Sequence, residues 1–221
     1  MVYLLQTGKS IALTGFFYRI KKMKRLFAVI FFVLAVFTIS GAQTQARLEL
    51  DNSSSLTIFG STNISKFILV LPGEKFPGKL FNFTYQQNQE RISLSQNRLA
   101  LEVKNFTSTN RIALNGFLKL IKSQIYPVLD IQLNNLEIIS PVPGSNSING
   151  KAFLYITITG VTKQYLIPFS SISENGMRYT DGKMRISIRD FGLIPPVEMM
   201  GMVKTSEWIE ISLHIVARIS L

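Results

Sequence analysis

From Leu48 onward the chain is dominated by alternation of apolar and polar residues sustained over long segments. In the last of these, Ile209, Ile211, Leu213, Ile215, Ala217 and Ile219 alternate with Glu210, Ser212, His214 and Arg218. Successive side chains of a strand leave it on opposite faces, so each such segment has one buried and one wetted side. Leu99, Leu101 and Val103 repeat the pattern, as do Leu129, Ile131 and Leu133, and then Met184, Ile186 and Ile188. Regularly spaced strands of this kind bury their apolar faces in a sandwich or a closed barrel. Leu154, Ile156 and Ile158 face one way while Phe153 and Tyr155 face the other, which predicts a cover over the outer side of that strand.

One stretch departs from period two. Between Ser108 and Ser123, Leu114, Phe117, Leu118, Ile121 and Ile125 fall on the stripe of an amphipathic helix. Ser108 or Thr109 is its expected N-cap, and Pro127 forbids its continuation. Turns are expected at Leu71-Pro72-Gly73, Pro141-Val142-Pro143-Gly144, Glu174-Asn175-Gly176 and Asp181-Gly182. The result is seven or eight strands, one short helix, and no linker or internal repeat.

The first forty residues follow other rules. Lys21, Lys22, Lys24 and Arg25 precede an apolar run from Leu26 to Ile39, followed by Ser40-Gly41-Ala42-Gln43. A basic start, a short apolar stretch and a small-x-small site are the layout of a secretory signal, with cleavage expected after Ala42 and Ala46 as the second choice. The run is shorter than the ~20 residues that span a bilayer. The chain divides accordingly into 1–22 (an over-called start or an extended basic region), a signal at 23–42, and a mature domain at 43–221. The expected location is periplasmic or secreted.

Removing the signal changes the charge balance. The whole chain has 24 Lys and Arg against 13 Asp and Glu, a net of +11. Six of those bases and no acid lie before Gln43, which leaves 18 against 13 and a net of +5. The remaining bases are scattered, whereas phosphate recognition needs a clustered basic face. Nucleic acid is therefore not an expected partner.

Few residues offer chemistry. The chain has no cysteine, which excludes disulfides, thiolate metal sites and a lipidated N-terminal cysteine, and its one histidine is His214. A catalytic imidazole needs an orienting carboxylate or metal, and no sequence feature supplies one, so His214 reads as a half-exposed strand residue. Asp190-Phe191-Gly192 matches the kinase magnesium tripeptide without any accompanying kinase motif. The acids are isolated, and four Asn-x-Ser/Thr sequons start at Asn52, Asn63, Asn82 and Asn105. No enzyme, metal or cofactor is expected. The aromatic content, by contrast, is high, and an eight-stranded barrel has room for one apolar ligand.

Four segments, read in order, resemble the YceI-like family of exported lipid-binding proteins. They are Ser55-Leu56-Thr57-Ile58-Phe59-Gly60-Ser61-Thr62-Asn63-Ile64-Ser65-Lys66-Phe67; Lys104-Asn105-Phe106-Thr107-Ser108 through the helix to Tyr126-Pro127-Val128-Leu129-Asp130-Ile131; the hairpin Ile148 to Lys163 with Thr159-Gly160-Val161-Thr162; and Ile188-Arg189-Asp190-Phe191-Gly192-Leu193-Ile194-Pro195-Pro196 running on to Met200-Gly201-Met202-Val203-Lys204. The resemblance spans residues 48–219. It departs from the best-known branch at Asn63, where that branch has His, and at Phe153 and Tyr155, which replace smaller residues.

The resemblance implies an all-β fold with one short helix: an extended, eight-stranded, antiparallel, lipocalin-like β-barrel. It also gives Asp190-Phe191-Gly192 the role of a loop, and it implies a long isoprenoid or quinone-like lipid bound inside. The expected lining is Leu99, Leu101 and Val103; Leu129, Ile131 and Leu133; Leu154, Ile156 and Ile158; and Ile186, Ile188, Ile211 and Leu213, with Phe81, Phe83 and Phe117 shaping the tunnel. The expected partner is thus an apolar lipid, with no stable membrane insertion once the signal is removed and a homodimer left open. The competing expectation is a ligand-free envelope interaction or stress module, with a packed core and an exposed patch at Pro195, Pro196 and Met199 to Met202. An outer-membrane barrel is disfavoured by the charged outward rows, which include Glu102, Lys104, Asp130, Arg185, Arg189 and Glu210.

Overall fold

The computed structural model describes residues 44–88, 91–95, 98–141 and 146–220. The signal segment and residues 1–22 lie outside them, as does the Pro141–Gly144 turn beyond Pro141. The strands are β1 (Thr44–Leu50), β2 (Ser55–Ser61), β3 (Lys66–Pro72), β4 (Leu80–Asn88), β5 (Arg91–Ser95), β6 (Arg98–Glu102) and β7 (Val128–Pro141). They continue with β8 (Ser147–Ile158), β9 (Val161–Glu174), β10 (Met177–Ser187), β11 (Val197–Glu198), β12 (Val203–Lys204) and β13 (Trp208–Ser220). One α-helix, α1, spans Arg111–Leu120.

Eight antiparallel strands form a ring in the order β1-β4-β5-β7-β8-β9-β10-β13, closed where β13 pairs with β1. The ring is uneven because two of its strands divide an edge between partners. Residues 210–214 of β13 face β2, and residues 217–220 face β1. Likewise residues 128–132 of β7 face β6, and residues 135–137 face β5. Between those two stretches a bulge at Asn134 shifts the register, Leu133 facing Leu154 and Asn135 facing Phe153. The inserted residue reverses the side-chain parity, so Leu136 follows Leu133 into the interior.

At the β2-β3-β6 end, the segment leading into α1 completes the wall. Val70 and Thr107 exchange backbone hydrogen bonds of 2.9 and 2.8 Å, and the Ser108 hydroxyl donates to the Ile68 carbonyl at 2.6 Å. This engagement explains why neither Ser108 nor Thr109 caps the helix. Asn110 does so instead, its Oδ1 accepting from the Ala113 amide at 3.0 Å. The helix packs Leu114, Phe117 and Leu118 against the core, with Ile121 at its C-cap. Ile125 lies beyond the helix and is exposed.

Four other expectations are corrected. Val103 and Ile188 are not strand residues: each opens a 3-10 turn, at Val103–Asn105 and Ile188–Phe191, although both are buried. Asp181-Gly182 is not a turn but the middle of β10, which is paired on both edges. A side chain at Gly182 would press on Ile167 at 3.0 Å, so the glycine serves packing rather than turning. The outer face of β8 is only partly covered, with Phe153 half-buried and Tyr155 36% exposed there. The register partners of Tyr155 on the neighbouring strands are Gln132 and Gln164, a polar setting in which an amphipathic side chain is tolerated.

The expected Glu174-Asn175-Gly176 turn is present. Asn175 and Gly176 have φ of 52° and 75°, the left-handed pair of a tight hairpin, and Thr159-Gly160 repeats this between β8 and β9 with 50° and 80°. Every pairing of the ring lies within Gln43–Leu221, which forms a compact unit of its own.

Candidate functional site

The inward rows do not fill the ring. They enclose two apolar chambers lying end to end. The near chamber, of about 330 Å³, is walled by β2, β3, β6, α1 and one end of β7, β8, β10 and β13. The far chamber, of about 450 Å³ and more open, is walled by β1, β4, β5 and the other end of β7 and β13. Neighbouring inward residues of single strands divide between the two: Leu101 and Leu99 on β6, Ile131 and Leu133 on β7, Leu213 and Ile215 on β13. Period-two geometry thus runs one apolar surface from one chamber into the other.

The residues expected from the sequence fall as follows. Leu101, Phe117, Leu129, Ile131, Leu154, Ile156, Ile158, Ile188, Ile211 and Leu213 line the near chamber. Phe81, Phe83, Leu99 and Leu133 line the far one. Val103 and Ile186 line neither and are buried in the core, 0% and 1% exposed. The ring of Phe117 is steadied by Phe106, edge to face with centroids 5.3 Å apart.

Sequence reasoning left out much of the remaining lining. In the near chamber it missed Phe67, Leu69 and Met184, and on α1 it missed Ala113, Gly116 and Leu120. In the far chamber it missed Ala46, Leu48 and Leu50, Ile92 and Leu94, Leu136 and Ile215. Ile92 and Leu94 carried a usable signal, alternating with Ser93 and Ser95. Leu136 carried none, because its inward direction comes from the bulge.

Polar groups gather at the mouth of the near chamber and are committed to local structure. The Thr62 hydroxyl donates to the Ser65 carbonyl at 3.2 Å and accepts from the Ser65 amide at 3.0 Å. Asn63 clamps two loops together. Its Nδ2 donates to the Met202 carbonyl and its Oδ1 accepts from the Lys204 amide, both at 2.9 Å. This fixes the β2–β3 turn to the β11–β12 hairpin beside the opening.

The titratable groups singled out by the sequence lie outside the chambers. His214 does have a carboxylate partner, contrary to expectation. Its Nδ1 is 2.7 Å from Asp181 Oδ1 across the β10–β13 pair, and both side chains are on the solvent side. The pairing of two distant strands creates this contact, so no local motif announces it. Asp190-Phe191-Gly192 forms a 3-10 turn ended by Gly192 at φ 71°. Asp190 accepts from the Tyr165 hydroxyl at 2.9 Å, and Phe191 is buried against the Tyr165 ring. Among the described residues no cluster of His, Asp and Glu is placed to hold a metal, and no helix is long and apolar enough to cross a membrane.

Burial, and then the bond to Asp190, raise the Tyr165 hydroxyl above its usual value near 10. A raised folded value favours the neutral phenol. The stabilisation is therefore complete below about pH 10 and is lost as pH climbs beyond it. Tyr165→Phe is expected to flatten the alkaline limb of a stability-against-pH curve measured by urea unfolding. An unchanged limb would remove Tyr165 as its source.

No family model matches the chain, and no curated protein matches it in sequence. Solved structures do match. The BcnA protein of Burkholderia cenocepacia is 15% identical with a TM-score of 0.55, over 76% of this chain and 99% of its own. A polyisoprenoid-binding domain of Saccharophagus degradans, implicated in plant cell wall breakdown, is 8% identical with a TM-score of 0.52, over 77% of this chain and 97% of its own. The YCEI protein of Campylobacter jejuni aligns more loosely, with 15% identity and a TM-score of 0.45 over 56% of this chain and 70% of its own. The antiparallel strand ring with one helix, expected from the four sequence segments, is thus shared at the level of the fold with the first two of these structures.

Proposed function

We propose that the mature chain is an exported carrier which holds a long apolar lipid, of isoprenoid or quinone type, inside its strand ring. The observation that carries this reading is the pair of apolar chambers joined end to end by inward rows of Leu, Ile and Phe. A folded core is normally packed to crystal-like density, so two such spaces in line favour an occupant. Each methylene moved from water into them is worth about 0.8 kcal/mol, and a chain of many methylenes gains affinity without any polar contact. That a domain of the same fold binds polyisoprenoids agrees with this reading. The residues facing the chambers bind rather than transform, and the reading needs no metal or further cofactor. The signal-like start supports export to the periplasm or outside the cell.

The alternative of a ligand-free interaction module draws on the exposure of Met199, Met200 and Met202. It also requires a filled interior, and the chambers speak against that.

Organic extraction of the exported, purified protein followed by mass spectrometry tests the proposal. About one apolar lipid per protein molecule is expected. A lipid-free extract from protein that takes up no added polyprenyl lipid overturns it.

A further inference from the structure

The mouth of the near chamber has an apolar rim. Ile64 is 70% exposed, Ile112 is 73% exposed and Met199 is 66% exposed, yet all three also line the chamber. Next to them Met200 is wholly exposed, and Met202 is about as exposed as Met199. An exposed apolar patch continuous with a cavity marks a place where something apolar is met. Two further observations say what it is.

The first is backbone strain. Met199 and Met200 have φ of 51° and 53°, a left-handed conformation that non-glycine residues seldom adopt, and Gly201 follows at 96°. A short hairpin held this way presents two unbranched, adaptable side chains at the opening, at a conformational cost.

The second is charge. Lys66 stands two residues after Ile64, Arg111 immediately precedes Ile112, and Lys204 stands two residues after Met202, all three exposed. Glu198 is the acid among them. The rim is thus apolar at its centre and basic around it, in a mature chain whose bases are otherwise scattered. That combination suits the interface of an anionic bilayer, where apolar side chains enter the acyl boundary and cations meet the headgroups.

From these observations we infer that the Ile64–Ile112–Met199–Met200 rim is a membrane-docking surface, which presses the mouth of the near chamber onto anionic lipid so that the cargo passes between bilayer and protein without crossing water. The inference rests on the carrier reading and names the surface from which the carrier is loaded. The clamp made by Asn63 gives the docking hairpin a fixed attachment to the opening.

The absence of cysteine allows a direct test. Met200→Cys, or Glu174→Cys at the opposite end of β9 as a control, is introduced into residues 43–221 and labelled with an environment-sensitive NBD dye. Mixed phosphatidylcholine–phosphatidylglycerol vesicles are then added. Blue-shifted emission at position 200 and none at 174, weakening in high salt, is expected. Unlabelled Met199→Ser/Met200→Ser protein should show about ten-fold less vesicle binding by flotation with an unchanged thermal midpoint. No shift at position 200, or equal shifts at both positions, overturns the docking surface and leaves the rim to a protein partner. Because the readout is vesicle contact, it can fail while lipid is still extracted from the protein, or succeed when none is. The two proposals therefore fall separately.

Discussion

Gly116→Leu is expected to make the protein more stable and less able to carry lipid. Gly116 sits inside α1, where glycine costs about 1 kcal/mol relative to alanine. A Cβ added there meets nothing within 4 Å, because the position faces the near chamber. Leucine removes most of the helix penalty and extends into the space assigned to the ligand. The thermal midpoint should rise by roughly 2–4 °C, the shift about 1 kcal/mol gives in a domain of this size. Bound lipid, measured by extraction and mass spectrometry, should fall sharply. Gly116→Ala is the matching control, with a similar gain in stability and retained lipid. Full loading of a stabilised Gly116→Leu protein would show that the cargo does not occupy this chamber.

Phe191→Ala is expected to be the most damaging single truncation. Phe191 is 2% exposed, packs on Tyr165 and belongs to the same core as Leu193 and Ile188. Emptying such a site costs about 3–5 kcal/mol, a large part of the 5–15 kcal/mol that a domain typically has. The urea midpoint should drop while the slope of the transition is kept. Asp190→Asn should be mild by comparison, since a side-chain oxygen remains to accept from Tyr165. Added magnesium should alter neither variant. A near-neutral Phe191→Ala would contradict the structural role given to this tripeptide.

The sequence made the fold unusually readable, because period-two rows report both the strands and their inner faces. Leu129, Ile131 and Leu133, or Ile211 and Leu213, point inward simply because their neighbours are polar. The exceptions are physical rather than statistical. Alternation persisted into Val103 and Ile188, where the backbone had already turned, since a 3-10 turn can also bury every second side chain over so short a span. Asp181-Gly182 resembles a turn to any local rule, and only pairing on both edges shows that Gly182 is there to admit Ile167. The His214–Asp181 contact joins residues 33 positions apart.

The chambers themselves were the least legible feature. Their lining residues are those of a filled core, and whether space remains depends on how far apart the ring holds them. The bulge at Asn134 is part of that spacing, and it has no signature in a stretch reading Leu133-Asn134-Asn135-Leu136.

The uneven ring also bears on where its wall opens most readily. The β1-β4-β5 panel is attached by short seams: β5 meets β7 over Arg91–Ser93 against Asn135–Glu137, and β1 meets β13 over Arg47–Leu50 against Ala217–Ser220. By contrast, β10 follows β13 from Arg178 to Ser187. Local opening is cheapest where few backbone bonds must break, so the amides of these two short seams are expected to exchange hydrogen sooner than those along β10 and β13.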